Sequence, residues 1–313
     1  MSIDISKIIN KDYLKNFTNN NNVVNFLDQN YYSDSFGFQW NIFEKDQLDS
    51  INKTDLSYRR FKYTKWDLNE LENKFVLEVG SGAGRFTEII AKGNCKLVTL
   101  DSSSAIYTNF KNNNHKNIIF LKCNIEKDIF LDNSFDFVFC YGVIQHTEKP
   151  FDTLNFLIKK LKPGGKLSAD FYRKMYFPTF YSTPKYIWRF ITKKMKRDKL
   201  LRFIEFYIPK YLPIDTLIKR IFGKLSIIIC GIIPIPCYQD WTKEYLKIDK
   251  KIRTRLAILD TFDALSPTYD QPLSKNEINN YLKKFKNIEY NLEYGSNGIV
   301  LNLKKIHDSN GGP

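Results

Sequence analysis

The sequence predicts an α/β fold: a Rossmann-like, doubly wound sheet that is mostly parallel, with an antiparallel C-terminal edge hairpin and a helical lid inserted after strand five. Apolar runs alternate with amphipathic segments between Phe75 and Phe171, as expected of a parallel sheet covered by helices. Three glycines at alternate positions, Gly80, Gly82 and Gly84, follow the first run and predict a tight turn before a helix. Beyond that region, prolines cut a basic stretch into short pieces, which indicates an insertion.

The core elements follow from these alternations. The predicted strands are Phe75–Gly80, Lys96–Asp101, Asn117–Leu121, Ser134–Cys140 and Lys166–Phe171. The predicted helices between them are Arg85–Lys92, Ser104–Asn112 and Phe151–Lys160. Ligands bind such sheets at the carboxyl ends of the strands, where the strand order reverses. The residues that end each strand are therefore the first candidates for a binding site.

The chain divides into five predicted parts. They are a helical and aromatic cap (1–70), a core (71–171), a basic helical insertion (172–250), a C-terminal completion of the sheet (251–305) and a disordered tail (306–313). Within the cap we expect a frayed start over residues 1–30 with one small helix, and a helix over Glu44–Leu56. The other predicted helices are Pro184–Lys196, Lys199–Tyr207, Ile214–Phe222, Lys251–Ala264 and Ser274–Phe285. The predicted edge hairpin joins Asn287–Glu293 to Gly298–Leu303.

Composition indicates a globular protein. Of 313 residues, 43% are hydrophobic and 26% charged, enough for a substantial core. The polar N-terminal stretch lacks the apolar centre of a secretory peptide, and no apolar run approaches the roughly 20 residues that span a bilayer. Five cysteines without a paired Cys-x-x-Cys indicate neither a disulfide framework nor a zinc site. We therefore expect a cytoplasmic protein, with a peripheral position on the inner face of the membrane as the second expectation.

The net charge of +14 is concentrated in one region. Fourteen Lys or Arg and three acidic residues lie between Arg173 and Lys224. A lysine-rich coding bias is one interpretation, and a surface that meets an anionic partner is the other. The apolar stripe of the same region fits either the core of a lid or a helix on a membrane surface. Nucleic acid is a third partner class, although no RNA- or DNA-binding module is recognisable. The sequence does not predict an oligomeric state.

Polar residues at the predicted strand ends outline a nucleoside site. Asp101 ends strand two about 20 residues beyond the glycines, where an acid can bind ribose hydroxyls; capping the next helix is the alternative. Asn124 and Ile125 follow strand three and are candidates for the edge and face of an adenine. Cys140 and Tyr141 end strand four. An aromatic cluster N-terminal to the core, Ser35-Phe-Gly-Phe-Gln-Trp40, is expected to close over the pocket, with Gln39 and Arg59 or Arg60 supplying hydrogen bonds. The other interpretation is that these aromatic residues cap the edge of the sheet.

These motifs resemble class I S-adenosylmethionine-dependent methyltransferases. The residues that carry the resemblance are Glu78-Val-Gly-Ser-Gly-Ala-Gly84, Asp101, Asn133-Ser-Phe-Asp-Phe-Val138, Gln145-His146 and Leu161-Lys-Pro-Gly-Gly165. The resemblance implies S-adenosyl-L-methionine as cofactor and S-adenosyl-L-homocysteine as product. It implies a cofactor site formed by Glu78, Gly80, Ser81, Gly82, Gly84, Arg85, Asp101, Ser102, Asn124, Ile125, Cys140, Tyr141 and Gln39. Many relatives have Asp where Asn124 stands, which weakens the expected adenine contact.

The alternative cofactor is a nicotinamide dinucleotide. No glycine falls three positions after Gly82, so the dinucleotide fingerprint is incomplete, and Glu78 inside the strand also favours the methyltransferase. The flanks Phe36-Gly-Phe-Gln-Trp40 and Asp263-Ala-Leu-Ser-Pro-Thr-Tyr-Asp270 resemble a bacterial subgroup of surface-carbohydrate and secondary-metabolism enzymes.

The acceptor is the least defined part of the prediction. We expect an O or N atom of a small or amphiphilic acceptor, with anionic character to match the basic insertion. RNA or protein methylation is an alternative, and so is a non-catalytic membrane-associated protein that keeps the fold. His146 is the first candidate for a general base. Asp263, Tyr269 and Asp270 are further candidates, or they brace the lid. No cluster of residues has the spacing of a metal site.

Overall fold

The chain forms two compact units in a computed structural model that describes residues 4–13, 18–20, 22–26, 34–174, 183–226, 235–239, 245–295 and 297–307. The first, here called the sheet unit, comprises Met1–Asn41, Asp55–Lys174 and Tyr269–Pro313. The second, the helical unit, comprises Ile42–Thr54 and Met175–Thr268. This division differs from the predicted parts: residues 251–268 belong with the insertion, and the predicted cap is shared between both units.

Nine strands form one sheet in the sheet unit. They are β1 (Thr18–Asn20), β2 (Val23–Asn25), β3 (Phe75–Val79), β4 (Lys96–Asp101), β5 (Ile118–Lys122), β6 (Phe135–Cys140), β7 (Leu161–Phe171), β8 (Ile288–Gly295) and β9 (Gly298–Lys305). Their order is β1-β2-β5-β4-β3-β6-β7-β9-β8. The central strands run parallel, and β9 pairs antiparallel with both β7 and β8. The predicted fold class, including the antiparallel C-terminal hairpin, is confirmed.

The strand order reverses at β3. The chain first builds outward from β3 through β4 to β5, then returns to the other side of β3 with β6 and β7. Because β4 and β6 leave β3 in opposite directions, a crevice opens at the carboxyl ends of β3 and its neighbours, where doubly wound proteins bind ligands. Gly80, Gly82 and Asp101 follow or end these strands, so the predicted residues meet at this edge.

Alternating side chains give the sheet two buried faces. Leu77 and Val79 of β3 pack into the larger apolar cluster, whereas Val76 packs into the second one on the opposite face. Helices cover both faces. Their bounds are α1 (Asp34–Ile42), α2 (Asp49–Asn52), α3 (Leu56–Phe61), α4 (Thr87–Ile90), α5 (Ala105–Asn113), α6 (Pro150–Lys160), α7 (Thr183–Thr192), α8 (Arg197–Phe222), α9 (Lys250–Leu265) and α10 (Lys275–Leu282). Helices α6 and α10 supply the larger cluster, and α3, α4 and α5 the second.

The N-terminal segment extends the sheet, which the sequence did not predict. Strands β1 and β2 form a short hairpin, and β2 pairs parallel with β5 through Val23 and Phe120. Val23 is fully buried, and it is one of only a few apolar residues in an Asn-rich stretch. The expected frayed start with a small helix is therefore wrong for this part. The apolar alternation was too short to detect, and tertiary burial decides the conformation.

The predicted helix over Glu44–Leu56 is also wrong. Only α2 forms there, and it ends at Lys53, whose φ of +52° is left-handed. Thr54 closes the end by donating from its backbone N–H and its Oγ1 to Asp49. Asn and Thr lower helix propensity in this segment, and the side-chain bond to Asp49 competes with further helical turns.

The helical unit contains one long helix where two were predicted. Helix α8 runs without interruption through Pro209 and Pro213. Both prolines lie on the exposed side of the helix, whereas Ile208, Leu212 and other residues of the opposite side are buried. Burial of that side stabilises the helix against the roughly 3 kcal/mol cost of an internal proline. A buried ion pair between Lys219 and Asp215 (2.6 Å) holds the last turns.

The remaining predictions concern membrane-spanning helices, the C-terminal tail and the cysteines. Among the helices of the described ranges, none is long and apolar enough to cross a membrane. Residues 308–313, most of the predicted disordered tail, lie outside the described residues. Cys95, Cys123 and Cys140 are buried and unpaired, and they pack as small apolar side chains.

Candidate functional site

The glycine turn after β3 is a close-packed connection. Gly82 has a φ of +54°, and a Cβ there would lie 3.0 Å from the indole of Trp40. Gly84 has a φ of +94°, and a Cβ there would lie 2.2 Å from side-chain atoms of Asn109 and Asn113 in α5. Both positions combine a left-handed backbone with contacts that exclude any side chain. The glycines are therefore required by the fold of the turn itself.

Most backbone N–H groups of this turn have internal acceptors. Gly80 and Ser81 both donate to the carbonyl oxygen of Leu100, at 2.8 and 3.2 Å. Gly82 donates to Oδ2 of Asp101 at 2.9 Å. A phosphate cradle needs such groups pointing at the ligand. The turn thus fixes the ends of β3 and β4 to each other, and these N–H groups are already bonded within the protein.

Asp101 is buried and bonded at both carboxylate oxygens. Its Oδ1 accepts from the backbone N–H and the hydroxyl of Ser103, at 2.8 and 2.6 Å, and Oδ2 accepts from Gly82. Burial raises the pKa of this carboxyl, and the bonds from Ser103 and Gly82 oppose that rise. Ser103 precedes Ser104, the N-cap residue of α5, so Asp101 bonds the turn before the helix and does not cap the helix itself. Each oxygen retains a second lone pair, so the predicted ribose contact stays a prediction. The neighbouring Ser102 is half-buried.

Glu78 lies in a buried polar network below the turn. Its Oε2 accepts from the hydroxyls of Thr87 (2.6 Å) and Thr99 (2.9 Å), and Asn109 donates in turn to Thr87 (2.8 Å). Burial raises the pKa of Glu78 to about 7, although both threonine bonds favour the ionised form. The network ties β3, α4, β4 and α5 together. Glu78 therefore braces the turn, in addition to its predicted role at the methionine end of the cofactor.

Two polar atoms near the turn await a partner. Within the described part of the chain, Oε1 of Glu78 and Oγ of Ser81 are buried and have no hydrogen-bond partner. Buried polar groups in proteins are nearly always bonded, so such atoms mark a place for a ligand or water. Both lie where the sequence predicted the cofactor.

Helix α1 covers the turn. Gly37 packs against Ser104, where a Cβ would lie 2.6 Å from the hydroxyl oxygen, and Trp40 lies over Gly82. Gln39, which lies between Gly37 and Trp40 in the sequence, is buried. The side chain of Arg85 contacts α3, where its Nε donates to the hydroxyl of Ser57 at 3.1 Å. The aromatic cluster is thus next to the glycine turn, as expected.

The other predicted contacts lie at the ends of β5 and β6. Asn124 is buried, and its amide exchanges hydrogen bonds with Glu126, both at 3.2 Å. Ile125 and Cys140 are members of the larger apolar cluster. The Tyr141 ring packs on Phe139 with centroids 4.5 Å apart, and its hydroxyl meets Ser168. The side chains of Cys140 and Tyr141 therefore face the core, which leaves their backbone for any ligand contact.

An ion pair at the end of β7 is a site feature that the sequence analysis missed. Arg60 donates from Nη2 to Oδ2 of the buried Asp170 at 2.9 Å. The backbone N–H of Gly142 donates to the other oxygen at 2.5 Å, and Asn297 donates to Oδ2 at 3.1 Å. Apart from its two chain neighbours, no atom of the described residues lies within 4 Å of the position that a Cβ of Gly142 would occupy, so this side is open within the described part of the chain. Asp170 therefore links β6, β7 and the β8–β9 turn beside open space.

The rule that selected Asp101, an acid at the end of a core strand, would also have found Asp170. Arg60 was one of two suggested arginines; the other, Arg59, bonds instead to Asp55 on the surface.

His146 is buried near β7, and its contacts define its tautomer. Nδ1 lies 2.9 Å from the backbone oxygen of Tyr269, and the ring meets Tyr172 edge-on with centroids 5.2 Å apart. Because a peptide oxygen can only accept, Nδ1 carries the proton in the neutral ring and the lone pair is on Nε2. Of the other candidate bases, Tyr269 belongs to the sheet unit and Asp263 to α9 of the helical unit. Among the described residues, no group of His, Cys, Asp and Glu could hold a metal ion.

Comparison with known proteins identifies the domain that contains the parallel strands. Residues 77–169 match the family model described as "Methyltransferase domain". This match confirms a class I S-adenosylmethionine-dependent methyltransferase domain, and with it the expected cofactor, for that part of the chain. The match begins at Leu77 in β3 and ends at Ala169 in β7, so it includes the glycine turn, Asp101 and the carboxyl ends of β3 to β6, whereas Asp170 lies just beyond it.

Individual relatives match between about a third and nine tenths of this chain. A tRNA U34 carboxymethyltransferase of Nautilia profundicola is 31% identical over 167 residues, which is 46% of this chain and 55% of that protein. A mitochondrial ubiquinone biosynthesis O-methyltransferase of Dictyostelium discoideum is 33% identical over 31% of this chain and 35% of its own length. Among solved structures, a Burkholderia thailandensis 1,6-didemethyltoxoflavin-N1-methyltransferase covers 88% of this chain and 89% of its own, with 10% identity and a TM-score of 0.44. The chain spans about half or less of the two sequence relatives.

Proposed function

We propose that this protein is an S-adenosylmethionine-dependent methyltransferase that transfers a methyl group to an O or N atom of a small or amphiphilic acceptor. The observation that carries the proposal is the methyltransferase domain over residues 77–169, whose strand ends bring the glycine turn and Asp101 into direct hydrogen-bond contact. The subgroup suggested by the flanking motifs, surface-carbohydrate and secondary metabolism, is part of the proposal.

The residues present fit the cofactor. Oγ of Ser81 and Oε1 of Glu78 are buried polar atoms without a partner among the described residues, so a bound ligand gains hydrogen bonds there. Asp101 has lone pairs left for ribose hydroxyls. Asn124 and Ile125 would meet the adenine, and the backbone at Cys140 and Tyr141 would border it. When bound, S-adenosylmethionine supplies a methyl group already activated by its sulfonium.

The work left to the protein is to orient the acceptor, exclude water and accept a proton. Trp40 and α1 cover the turn and exclude water from it. His146 is the candidate base, because its Nδ1–H donates to Tyr269 and so directs the basic lone pair to Nε2. Its neighbour Gln145 has a fully buried amide with no partner within the described ranges, which is a group able to orient an acceptor. An amine or carboxylate acceptor would need no strong base.

RNA is the second candidate acceptor. Relatives named tRNA U34 carboxymethyltransferase favour it, and so does the basic insertion. The family model, however, covers residues 77–169 of the sheet unit and does not include the basic insertion. The small-molecule proposal therefore stands first, and the assay includes unmodified tRNA beside sugar, lipid and polyketide acceptors.

Cofactor binding is tested by calorimetry with S-adenosylmethionine and S-adenosylhomocysteine. Asp101→Asn keeps the shape of the side chain and removes its charge, and it should weaken binding by about 1–3 kcal/mol. Asp152→Asn, at an exposed position on α6, is the matched control and should bind like the unaltered protein. Absence of binding by the unaltered protein would contradict the proposed function, and full affinity in Asp101→Asn would contradict the ribose contact.

The role of His146 is tested with the acceptor that the screen identifies. His146→Gln should lower turnover about 10²–10⁴-fold, the usual contribution of a general base, while the affinity for S-adenosylhomocysteine stays within twofold. His115→Gln, on an exposed loop, is the control. Equal loss of turnover and cofactor affinity would indicate a structural role instead.

A further inference from the structure

The helical unit exposes an apolar surface on the outside of α7 and α8. Its members, here called the outer face, are Ile187, Phe190 and Ile191 of α7 and Phe203, Phe206, Ile214, Leu217 and Ile221 of α8. Phe190 is 73% exposed, Phe206 65% and Ile221 64%. Single exposed apolar residues are ordinary, but a set of eight on two adjacent helices requires an explanation.

These residues lie opposite the side by which each helix packs. In α8, Leu201, Ile204 and Ile208 are buried within the unit, while the exposed apolar residues recur at helical spacing along the other side. In α7, Arg189 and Thr192 donate to carbonyl oxygens at and beyond the end of α9. The inner side of α8 is therefore buried by apolar packing and that of α7 by hydrogen bonds to the end of α9, and the outer face contributes to neither contact.

The two helices form one continuous surface. The ring of Trp188 in α7 lies 6.2 Å from that of Phe203 in α8, and Tyr207 follows at 5.1 Å from Phe203. A groove of about 310 Å³ runs beside them, lined by Tyr211, Ile214 and other apolar groups. The outer face is thus a shared feature of α7 and α8.

Basic side chains are interspersed with this apolar surface. Between residues 183 and 225 there are twelve Lys or Arg and three acidic residues. Of the three acids, Asp215 is buried with Lys219 and Asp198 bonds Arg202, which leaves Glu205 among the exposed lysines. Lys210 Nζ lies 3.4 Å from the ring centre of Phe206, and Lys194 Nζ lies 5.6 Å from that of Phe190. Lysines can bury their stems in this way while the ammonium stays at a polar boundary.

We propose that the outer face docks on the surface of an anionic lipid bilayer. Exposed aliphatic and phenylalanine side chains gain free energy by entering the acyl boundary, and the lysines around them meet anionic head groups. RNA fits the surface less well, because Ile and Leu side chains gain nothing from a phosphate backbone. A second copy fits less well too, since a symmetric contact would bring two basic surfaces together. The proposal does not depend on the proposed function.

Vesicle flotation of the full chain tests this docking. Vesicles of phosphatidylcholine with 40% phosphatidylglycerol should bind the protein at least tenfold more tightly than pure phosphatidylcholine, and salt should weaken the binding. The triple variant Phe206→Ser/Leu217→Ser/Ile221→Ser should bind anionic vesicles at least tenfold more weakly. Ile51→Ser removes a 55% exposed apolar side chain that belongs to α2 of the helical unit and not to the outer face, and should bind normally.

Three results would overturn the proposal. One is binding to anionic vesicles that the triple variant retains. Another is retention of unmodified tRNA that Lys193→Gln/Lys194→Gln abolishes while vesicles are not bound. The third is a dimer in solution without lipid that the triple variant converts to a monomer. Circular dichroism confirms that each variant is folded, and S-adenosylhomocysteine affinity, measured in parallel, should be unchanged throughout. A failure of docking is therefore distinguishable from a failure of the cofactor assignment.

Discussion

Replacing Glu78 with Gln should remove a large pH dependence of the stability of the sheet unit. Glu78 is buried, and burial raises its pKa from the usual 4.5 to about 7. Between pH 4.5 and about 7, Glu78 is therefore protonated in the folded protein, whereas the same carboxyl is ionised in the unfolded chain. The folded state binds more protons across this window, so the free energy of unfolding falls as pH rises through it and is constant above it.

The size of the effect follows from the two pKa values. Each pH step across the window is worth about 1.4 kcal/mol, so the interval from 4.5 to about 7 corresponds to a loss of about 3 kcal/mol. Glutamine carries no charge at any pH and can still accept from Thr87 and Thr99 through its amide oxygen. The free energy of unfolding of Glu78→Gln, relative to that of the unaltered protein, should therefore rise by about 3 kcal/mol as the pH is raised from 4 to 8.

Urea unfolding followed by tryptophan fluorescence measures this difference. Trp66 packs on Phe137 with ring centroids 5.0 Å apart and so reports on the sheet unit. Other titrating groups are common to both proteins and cancel in the comparison. Glu72→Gln, at an exposed position just before β3, is the control and should keep the pH dependence of the unaltered protein. If Glu78→Gln keeps it as well, the buried carboxyl is not the source and the reasoning fails.

Two further substitutions test the packing of the site by urea unfolding. Gly84→Ala places a Cβ against Asn109 and Asn113 and should cost at least about 2 kcal/mol of stability. Gly142→Ala meets no atom of the described residues within 4 Å beyond its chain neighbours, and should cost only the backbone strain of about 1–2 kcal/mol. Equal costs would show that the contact with α5 is irrelevant. Arg60→Met leaves the carboxylate of Asp170 buried without its cation and should cost about 3 kcal/mol; Arg60→Met/Asp170→Asn should recover much of that loss, and no loss in the single variant would contradict the role of the pair.

The sequence predicted the parallel core closely because its strands are buried on both faces. Runs such as Phe75–Val79 and Phe135–Cys140 are apolar enough to identify without any partner, and Ser274 with Glu277 forms the capping box that starts α10. The edge strands β1 and β2 have no such run, because most of their residues are polar. The continuous helix α8 was not predicted because Pro209 and Pro213 are local signals for the end of a helix. The burial of Ile204 and Ile208 overrides these signals.

The candidate site was predictable where one strand end carries its own signal. Asp101 and the three glycines can be recognised from neighbouring residues in the sequence. The pair of Arg60 with Asp170 could not be, because 110 positions separate the two residues and only the fold brings them together. The amide of Gln145 is noticeable only once its burial without a partner among the described residues is known. Residue identity indicated the cofactor, whereas the acceptor side depends on contacts between distant segments.

The position of β9 has a consequence for the biosynthesis of this protein. Phe171 at the end of β7 pairs with Ile299 of β9, and the whole helical insertion is synthesised between them. Until Gly298–Lys305 has left the ribosome, β7 has an unpaired edge, and such edges recruit strands from other chains. The nascent protein thus has an aggregation-prone sheet edge at β7 until the insertion and β9 have emerged from the ribosome. Truncation before β9 would make that edge permanent, so the C-terminal hairpin protects the solubility of the chain as well as completing its fold.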